Sequence, residues 1–131
     1  MKNKKVTMKH LVICILCLSL LVWSSCSKPT TEISCASTIS FRTDLVPIFK
    51  NSCALVGCHT GGSPQGHLNL DSAVAYTNLS TKGYFTAGNP TLSIVYDRMT
   101  STSNPMPASG VLPSAQTDKV YCWIKQGGLN N

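Results

Sequence analysis

The sequence predicts an all-α domain with about four short helices joined by long loops, and three observations lead to that prediction. Apolar residues recur at helical spacing in several separate segments. No segment alternates polar and apolar residues in the way that predicts a strand. Glycine and proline cluster between the periodic segments, at 61–66 and 105–113, and these clusters predict loops.

A first helix is predicted immediately before Cys53. The segment 44–49 has the sequence Asp-Leu-Val-Pro-Ile-Phe, with its apolar residues at helical spacing. Asp44 can cap the helix, and Pro47 is tolerated only if it lies in the first turn. We therefore expect a short helix that begins at Asp44 and leads into Cys53.

Two further helices are predicted between the loops. Asp71 can cap a short helix that runs through Ala75 and Leu79. Asn89 followed by Pro90 is typical of a helix start. The apolar residues of that third helix follow at helical spacing and are Leu92, Val95 and Met99.

The last predicted helix has Ser114 as its N-cap and ends before Gly127 and Gly128. Its apolar face carries Val120, Trp123 and Ile124. The segment before it, 101–113, contains three prolines and a glycine and has no predicted structure. A loop of this length usually has a functional role.

The N-terminal 25 residues are typical of a secretory signal peptide. Four lysines precede an apolar run at 11–23, which is broken only by Ser19. That run is shorter than the roughly 20 apolar residues that span a bilayer. Ser24 and Ser25 then precede Cys26, and this site resembles the lipobox of bacterial lipoproteins, although Trp23 departs from it. We expect Cys26 to carry a lipid, residues 26–40 to form a polar tether and the domain to begin at Phe41.

The charge of the chain argues against a nucleic-acid partner. The formal net charge is +6, from eleven basic and five acidic residues. Four of the lysines belong to the predicted signal peptide, so the remainder is only weakly basic. Outside that peptide there is no basic run and no basic stretch interleaved with aromatic residues.

The motif with the clearest chemistry runs from Cys53 to His59 and reads Cys-Ala-Leu-Val-Gly-Cys-His. Two thiols followed directly by a histidine are typical of covalent c-type haem attachment, where the thiols bind the vinyl groups and the histidine binds the iron. The commonest motif has two residues between the cysteines, whereas this one has four. Positions five apart do not share a helix face, so the backbone must bulge there, and Gly57 makes that easier.

The seven cysteines of the chain can all be assigned on this interpretation. Cys14 and Cys17 leave with the signal peptide, Cys26 takes the lipid, and Cys53 and Cys58 bind haem. Cys35 and Cys122 then remain as one disulfide candidate in an oxidising compartment. Without haem, the four cysteines of the domain would form two bridges with three alternative pairings.

Two other uses of the motif stay open. A zinc site needs four nitrogen or sulfur ligands. Beyond Cys53, Cys58 and His59, the mature chain offers only His67 and the distant Cys35 and Cys122. A structural disulfide between Cys53 and Cys58 is the other alternative, and it would leave His59 without a role.

A second iron ligand is expected because electron carriers commonly hold haem iron between histidine and methionine. Met106 is the favoured candidate, since Pro105 and Pro107 restrict its backbone on both sides. Met99 is the competing methionine, but its helical spacing indicates a core residue. His67 is a weaker candidate on the glycine-rich loop. The second ring nitrogen of His59 is expected to bond a backbone carbonyl near Ser63 or Pro64.

These segments together resemble the class I cytochrome c-like domains of exported lipoproteins and multidomain proteins. The resemblance covers residues 41–131 and rests on 44–49, 53–59, 88–90 with Ser93 and Tyr96, 106–107 and 123–127. It implies thioether bonds at Cys53 and Cys58, with His59 as proximal ligand and Met106 as distal ligand. It also implies that the first and last helices cross, which brings Phe49 near Trp123 and favours a bridge between Cys35 and Cys122.

The function expected from these features is one-electron transfer by a single covalent haem c. With both axial positions filled by protein, no substrate site remains, so we expect a carrier and not an enzyme. Its partners would be redox proteins that dock transiently, and a lipid at Cys26 would hold it on a bacterial membrane, facing the periplasm or the exterior. The alternatives are a haem-based sensor of small ligands, in which Met106 dissociates, and a structural lipoprotein held by two disulfides.

Overall fold

The computed structural model describes residues 32–131, of which Ile33–Asn131 form one compact unit. The predicted signal peptide, Cys26 and the start of the tether lie outside the described residues. Across 32–131 the regular structure is helical and contains no strand, in agreement with the predicted all-α class. The four α-helices of this part of the chain are α1 (Val46–Ser52), α2 (Ala75–Thr81), α3 (Ile94–Thr100) and α4 (Ser114–Lys125). None of the described helices has the length and apolarity needed to cross a membrane.

The first helix begins earlier than Asp44, so that predicted boundary is wrong. A π-helical turn, Phe41–Leu45, leads directly into α1. Its N-cap is Ser40, whose side chain accepts a hydrogen bond from the Thr43 N–H. Asp44 instead lies inside the first turn, and its carboxylate accepts from the Ser40 N–H at 3.0 Å. Pro47 follows in the first turn of α1, where its missing N–H does not interrupt the helix.

The second helix begins at Ala75, and the Asp71 side chain does not cap it as predicted. Only the Asp71 carbonyl takes part, accepting from the N–H groups of Val74 and Ala75 at 2.9 Å. The Asp71 carboxylate bonds Thr60 and Gly61 instead. The Asp71 side chain therefore bonds Thr60, eleven residues earlier in the chain, and not the N–H groups at the start of α2.

The third helix is also displaced from its predicted start. Asn89 and Pro90 open a short 3₁₀ turn, Pro90–Leu92, and α3 begins only at Ile94. Buried Ser93 separates the two because its hydroxyl donates to the Asn89 carbonyl at 2.9 Å. As a result Leu92 is 71% exposed and does not join the buried face, which carries Val95 and Met99 as predicted.

The last helix has the predicted extent, with one difference at its start. Ser114 is the first helical residue and not the N-cap, a position that Pro113 occupies without a side-chain hydrogen bond. The predicted apolar face is buried and carries Val120, Trp123 and Ile124. Gly127 and Gly128 end the helix with positive φ angles of 107° and 64°.

An aromatic cluster joins the two ends of the domain. Phe41 packs with its ring centroid 6.0 Å from that of Phe49 and 5.3 Å from that of Trp123. The expected proximity of Phe49 and Trp123 therefore takes the form of one buried cluster in which Phe41 contacts both rings. Phe85 completes it at 4.6 Å from Trp123, and its ring lies so close to Gly128 that a Cβ there would overlap it.

The segment before the first helix lies against α4, so the compact unit starts before the predicted boundary at Phe41. The Sγ atoms of Cys35 and Cys122 are 2.04 Å apart, a disulfide distance. The Gln126 side chain adds three hydrogen bonds, accepting from the Ile39 N–H at 3.0 Å and donating to the carbonyls of Ser37 at 2.8 Å and Cys35 at 3.5 Å. Residues assigned to the tether by composition are thus part of the domain.

The disulfide predicts a measurable loss of stability on its removal. Cys35 and Cys122 are 87 residues apart in sequence, and a bridge that closes a loop of this length stabilises by up to about 4 kcal/mol through chain entropy. The C35A/C122A variant should therefore unfold at lower urea than wild type, and reduced wild type should match the variant. Equal midpoints for oxidised wild type and the variant would contradict the expectation.

Candidate functional site

The cysteine motif forms a tight loop directly after α1. The loop closes on itself because the His59 N–H donates to the Cys53 carbonyl at 3.1 Å. Gly57 takes a positive φ of 81°, in agreement with the predicted bulge between the cysteines. The tip of the loop points to solvent, where Val56 is 97% exposed. The extra residues of the four-residue spacer therefore project outward while the motif's two ends stay together.

The two cysteines of the motif are separate thiols with different surroundings. Cys53 is buried, at 8% exposure, whereas Cys58 is exposed. Burial, and then the neighbouring Cys58 thiol, raise the pKa of Cys53 to about 11. Cys53 is therefore a neutral thiol at physiological pH, held in place at the base of the site.

The imidazole of His59 is fixed by two main-chain carbonyls. Its Nδ1 lies 3.1 Å from the Gln65 oxygen and 3.2 Å from the Leu68 oxygen. The prediction of a backbone carbonyl near Ser63 or Pro64 is therefore confirmed at Gln65, the residue after Pro64, and Leu68 supplies a second carbonyl. Because a carbonyl oxygen can only accept, Nδ1 must carry the proton. The lone pair of Nε2 is then free to bind a metal ion.

The loop that carries these carbonyls is held at its base by Asp71. Its carboxylate accepts from the Thr60 hydroxyl and, at 3.3 Å, from the Gly61 N–H. These bonds, the Thr60 bond first, hold the pKa of Asp71 below its usual value. The Leu70 N–H also donates to the His59 carbonyl at 2.8 Å, so the loop returns along the histidine.

A largely apolar cavity opens in front of His59 in two adjacent compartments of about 380 and 440 Å³. Each volume lies in the usual range of roughly 300–1,000 Å³ for cofactor sites. Both compartments are lined by Cys53, His59, Gln65 and Met106. The first, the α3 compartment, is completed chiefly by Leu68, Tyr84, Ile94, Val95, Arg98 and Met99. The second, the loop compartment, is completed chiefly by Leu55, Cys58, Pro107 and Ala108.

Met106 lines this cavity from the loop between α3 and α4. Its N–H donates to the Arg98 carbonyl at the end of α3, at 2.8 Å, and its side chain is 38% exposed. Met99 lines only the α3 compartment and is otherwise a buried core residue. The structure thus brings Cys53, His59 and Met106 around one space.

The remaining candidate ligands lie elsewhere. His67 is exposed, and the residues lining the two compartments include its neighbours Gly66 and Leu68 but not His67 itself. Cys35 and Cys122 are joined to each other and cannot serve as thiolate ligands. Within residues 32–131, no three His, Cys, Asp or Glu side chains gather in a way that could hold a metal ion. None of the three two-bridge pairings is complete in the structure, because Cys35 and Cys122 are joined whereas Cys53 and Cys58 are separate thiols.

Sequence reasoning missed Tyr84, Arg98 and Gln65. Tyr84 and Arg98 line the α3 compartment, and Gln65 lines both compartments. Only Arg98 had a usable signal, because it precedes Met99 on a predicted helix whose apolar face was identified. Gln65 acts through its backbone, which is the same in every residue and leaves no signal in the sequence.

The lowered pKa of Asp71 predicts a pH-dependent role in stability. A carboxylate whose pKa is depressed by folding stabilises the fold above its unfolded pKa of about 3.9, and this contribution is lost as the pH falls through the folded value. The D71N variant should therefore be less stable than wild type at pH 7, and the difference should shrink below about pH 4. Urea unfolding at both pH values measures it, with D97N in exposed Asp97 as the matched control. A difference that is the same at both pH values would contradict the assignment.

No family model matches the chain, and no curated protein or solved structure is significantly similar to it.

Proposed function

We propose that the protein is an electron carrier with one covalently bound c-type haem in the cavity between His59 and Met106, in a cytochrome c-like fold. The observation that carries the proposal is the apolar cavity lined by both thiols of the motif, by His59 and by Met106. When bound, haem supplies one-electron transfer through its iron. The orientation of His59, with Nδ1 held by two carbonyls, supports the same interpretation.

The two thiols would attach the cofactor covalently. Each sulfur would form a bond to one carbon of a vinyl group, while its thiol hydrogen passes to the other vinyl carbon, so no electron is gained or lost. Cys53 is buried in the cavity wall and Cys58 is exposed beside it. This difference means that Cys58 is open to an attachment enzyme, whereas Cys53 is reached through the cavity.

His59 and Met106, which both line the cavity, would hold the iron. The donors would be the Nε2 lone pair of His59 and the thioether sulfur of Met106, and this pairing of ligands raises the reduction potential of haem iron. Leu68, Val95 and Met99 make the wall of the α3 compartment apolar. Such an apolar wall would keep water from the iron and would also affect its reduction potential.

In this function the protein would be exported and attached to a membrane through a lipid on Cys26. Transient redox protein partners would then meet the domain on the periplasmic or outer side of a bacterial membrane. With both axial positions filled by protein, the chain would have no enzymatic activity of its own. A C26S variant that still partitions into the membrane fraction would refute the anchor.

Covalent haem attachment is the first test of the proposal. Expressed in a host with haem-attachment machinery, the protein should keep its haem spectrum after denaturation and acid–acetone extraction. The C53A/C58A variant should lose all haem to the extract, because no thioether remains. C35A/C122A is the matched control, since it removes two cysteines outside the cavity and should retain haem. A colourless wild-type protein would refute the cytochrome function.

The identity of the second ligand is tested by Met106→Ala. The variant should retain haem but lose the weak near-red sulfur-to-iron absorption band, because its thioether is gone. Carbon monoxide should not bind reduced wild type at neutral pH and should bind M106A readily.

Two outcomes would contradict these expectations. If Met99→Leu loses the band and M106A keeps it, Met99 is the ligand. If reduced wild type binds carbon monoxide, the protein is a ligand-binding sensor and not a simple carrier.

A further inference from the structure

The turn that holds His59 has an uncommon backbone conformation. In the 3₁₀ turn Gln65–His67, Gly66 has a φ of 58° and His67 a φ of 57°. Glycine adopts this left-handed conformation readily, but a histidine does so only at a cost in free energy. Such a residue persists where the surrounding structure enforces it. The groups that enforce this turn therefore decide where the carbonyls facing His59 lie.

Two side chains from a distant part of the chain supply that constraint. The Tyr84 hydroxyl donates to the Gly66 carbonyl at 3.1 Å, and the Lys82 ammonium donates to the His67 carbonyl. Gly66 and His67, whose carbonyls accept these bonds, are the two residues of the turn with left-handed backbone. Both donors lie 15 to 18 residues further along the chain, after α2. The turn is thus held from outside, at the carbonyls between the two that accept from His59.

Tyr84 is itself firmly placed. Its N–H donates to the Leu79 carbonyl and its carbonyl accepts from the Val95 N–H in α3, both at 2.9 Å. Its ring lines the α3 compartment between these bonds and the turn. Because Arg98 at the end of α3 also accepts from the Met106 N–H, hydrogen bonds connect the supports of both candidate ligands through Tyr84 and α3.

We propose that Tyr84 and Lys82 are positioning residues that fix the Gln65–His67 turn and thereby set the strength of the His59 Nδ1 hydrogen bonds. This inference rests on the proposed haem function for its effect on the reduction potential. A strong bond at Nδ1 makes the histidine a more basic ligand. A more basic ligand favours ferric iron, so weakening the turn should raise the potential.

The test compares Tyr84→Phe with wild type in the haem-loaded protein. Y84F keeps the ring in the cavity wall and removes only the hydroxyl that holds Gly66. The exchange of the His59 Nδ1 proton, followed by NMR in the reduced protein, should become severalfold faster, and the reduction potential should rise. Y96F is the matched control, because the Tyr96 ring packs on Tyr121 with 5.4 Å between ring centroids and does not line either compartment. Exchange in Y84F equal to wild type would overturn the inference.

Lys82 provides a second, independent variant pair in case Y84F folds poorly. Lys82→Met should speed Nδ1 exchange, and Lys82→Arg should restore it because a cationic donor is present again. Equal exchange in both variants would overturn the role of Lys82. If the protein proves colourless, the proposed function fails, but Nδ1 exchange in the haem-free chain still decides whether Tyr84 and Lys82 position His59.

Discussion

The N–H of the His59 imidazole lies between two carbonyl oxygens, those of Gln65 and Leu68. A single neutral hydrogen bond contributes only about 0.5–1.5 kcal/mol, so its importance here is geometric. It fixes the tautomer and turns the unprotonated nitrogen away from the loop. The Asp71 carboxylate, which bonds Thr60 and Gly61 at the base of the loop, helps to keep the two carbonyls within reach of that ring.

The scaffold explains how so much irregular backbone stays ordered. Between α1 and α2 the chain has only one short 3₁₀ turn, and it depends on hydrogen bonds between residues far apart in sequence. The helices beneath are fixed by the disulfide at Cys35 and by Asn131, whose side-chain oxygen accepts from the Phe41 N–H at 2.8 Å. A small domain with a limited core needs such cross-links. Rigid ends therefore support a loop that has little regular structure of its own.

Periodicity was enough to predict that four helices exist, because a buried face leaves a spacing in the sequence. It was not enough for their starts. Ser40 caps the first helix while its hydroxyl also donates to the Asn131 carbonyl, and Ser93 delays α3 through a bond to Asn89. Hydroxyl groups are present throughout the chain, and nothing local distinguishes these two. The motif Cys53–His59 was readable for the opposite reason: its chemistry requires fixed neighbours in sequence. The bond from Tyr84 to the turn next to His59 could not be predicted, since its acceptor is a backbone carbonyl and every residue has one.

The two candidate ligands differ in how firmly they are held. His59 has hydrogen bonds at its N–H, its carbonyl and its ring, on a loop clamped by Asp71. Met106 has one main-chain bond, to Arg98, and sits partly exposed in the segment 101–113, which has no regular structure. Local opening is easiest where few contacts oppose it. In the proposed carrier, loss of an axial ligand should therefore begin at Met106, with His59 still in place. Opening at Met106 breaks its bond to the Arg98 carbonyl in α3. Since α3 also bonds Tyr84, which holds the turn next to His59, hydrogen bonds connect this end of α3 to the support of the histidine.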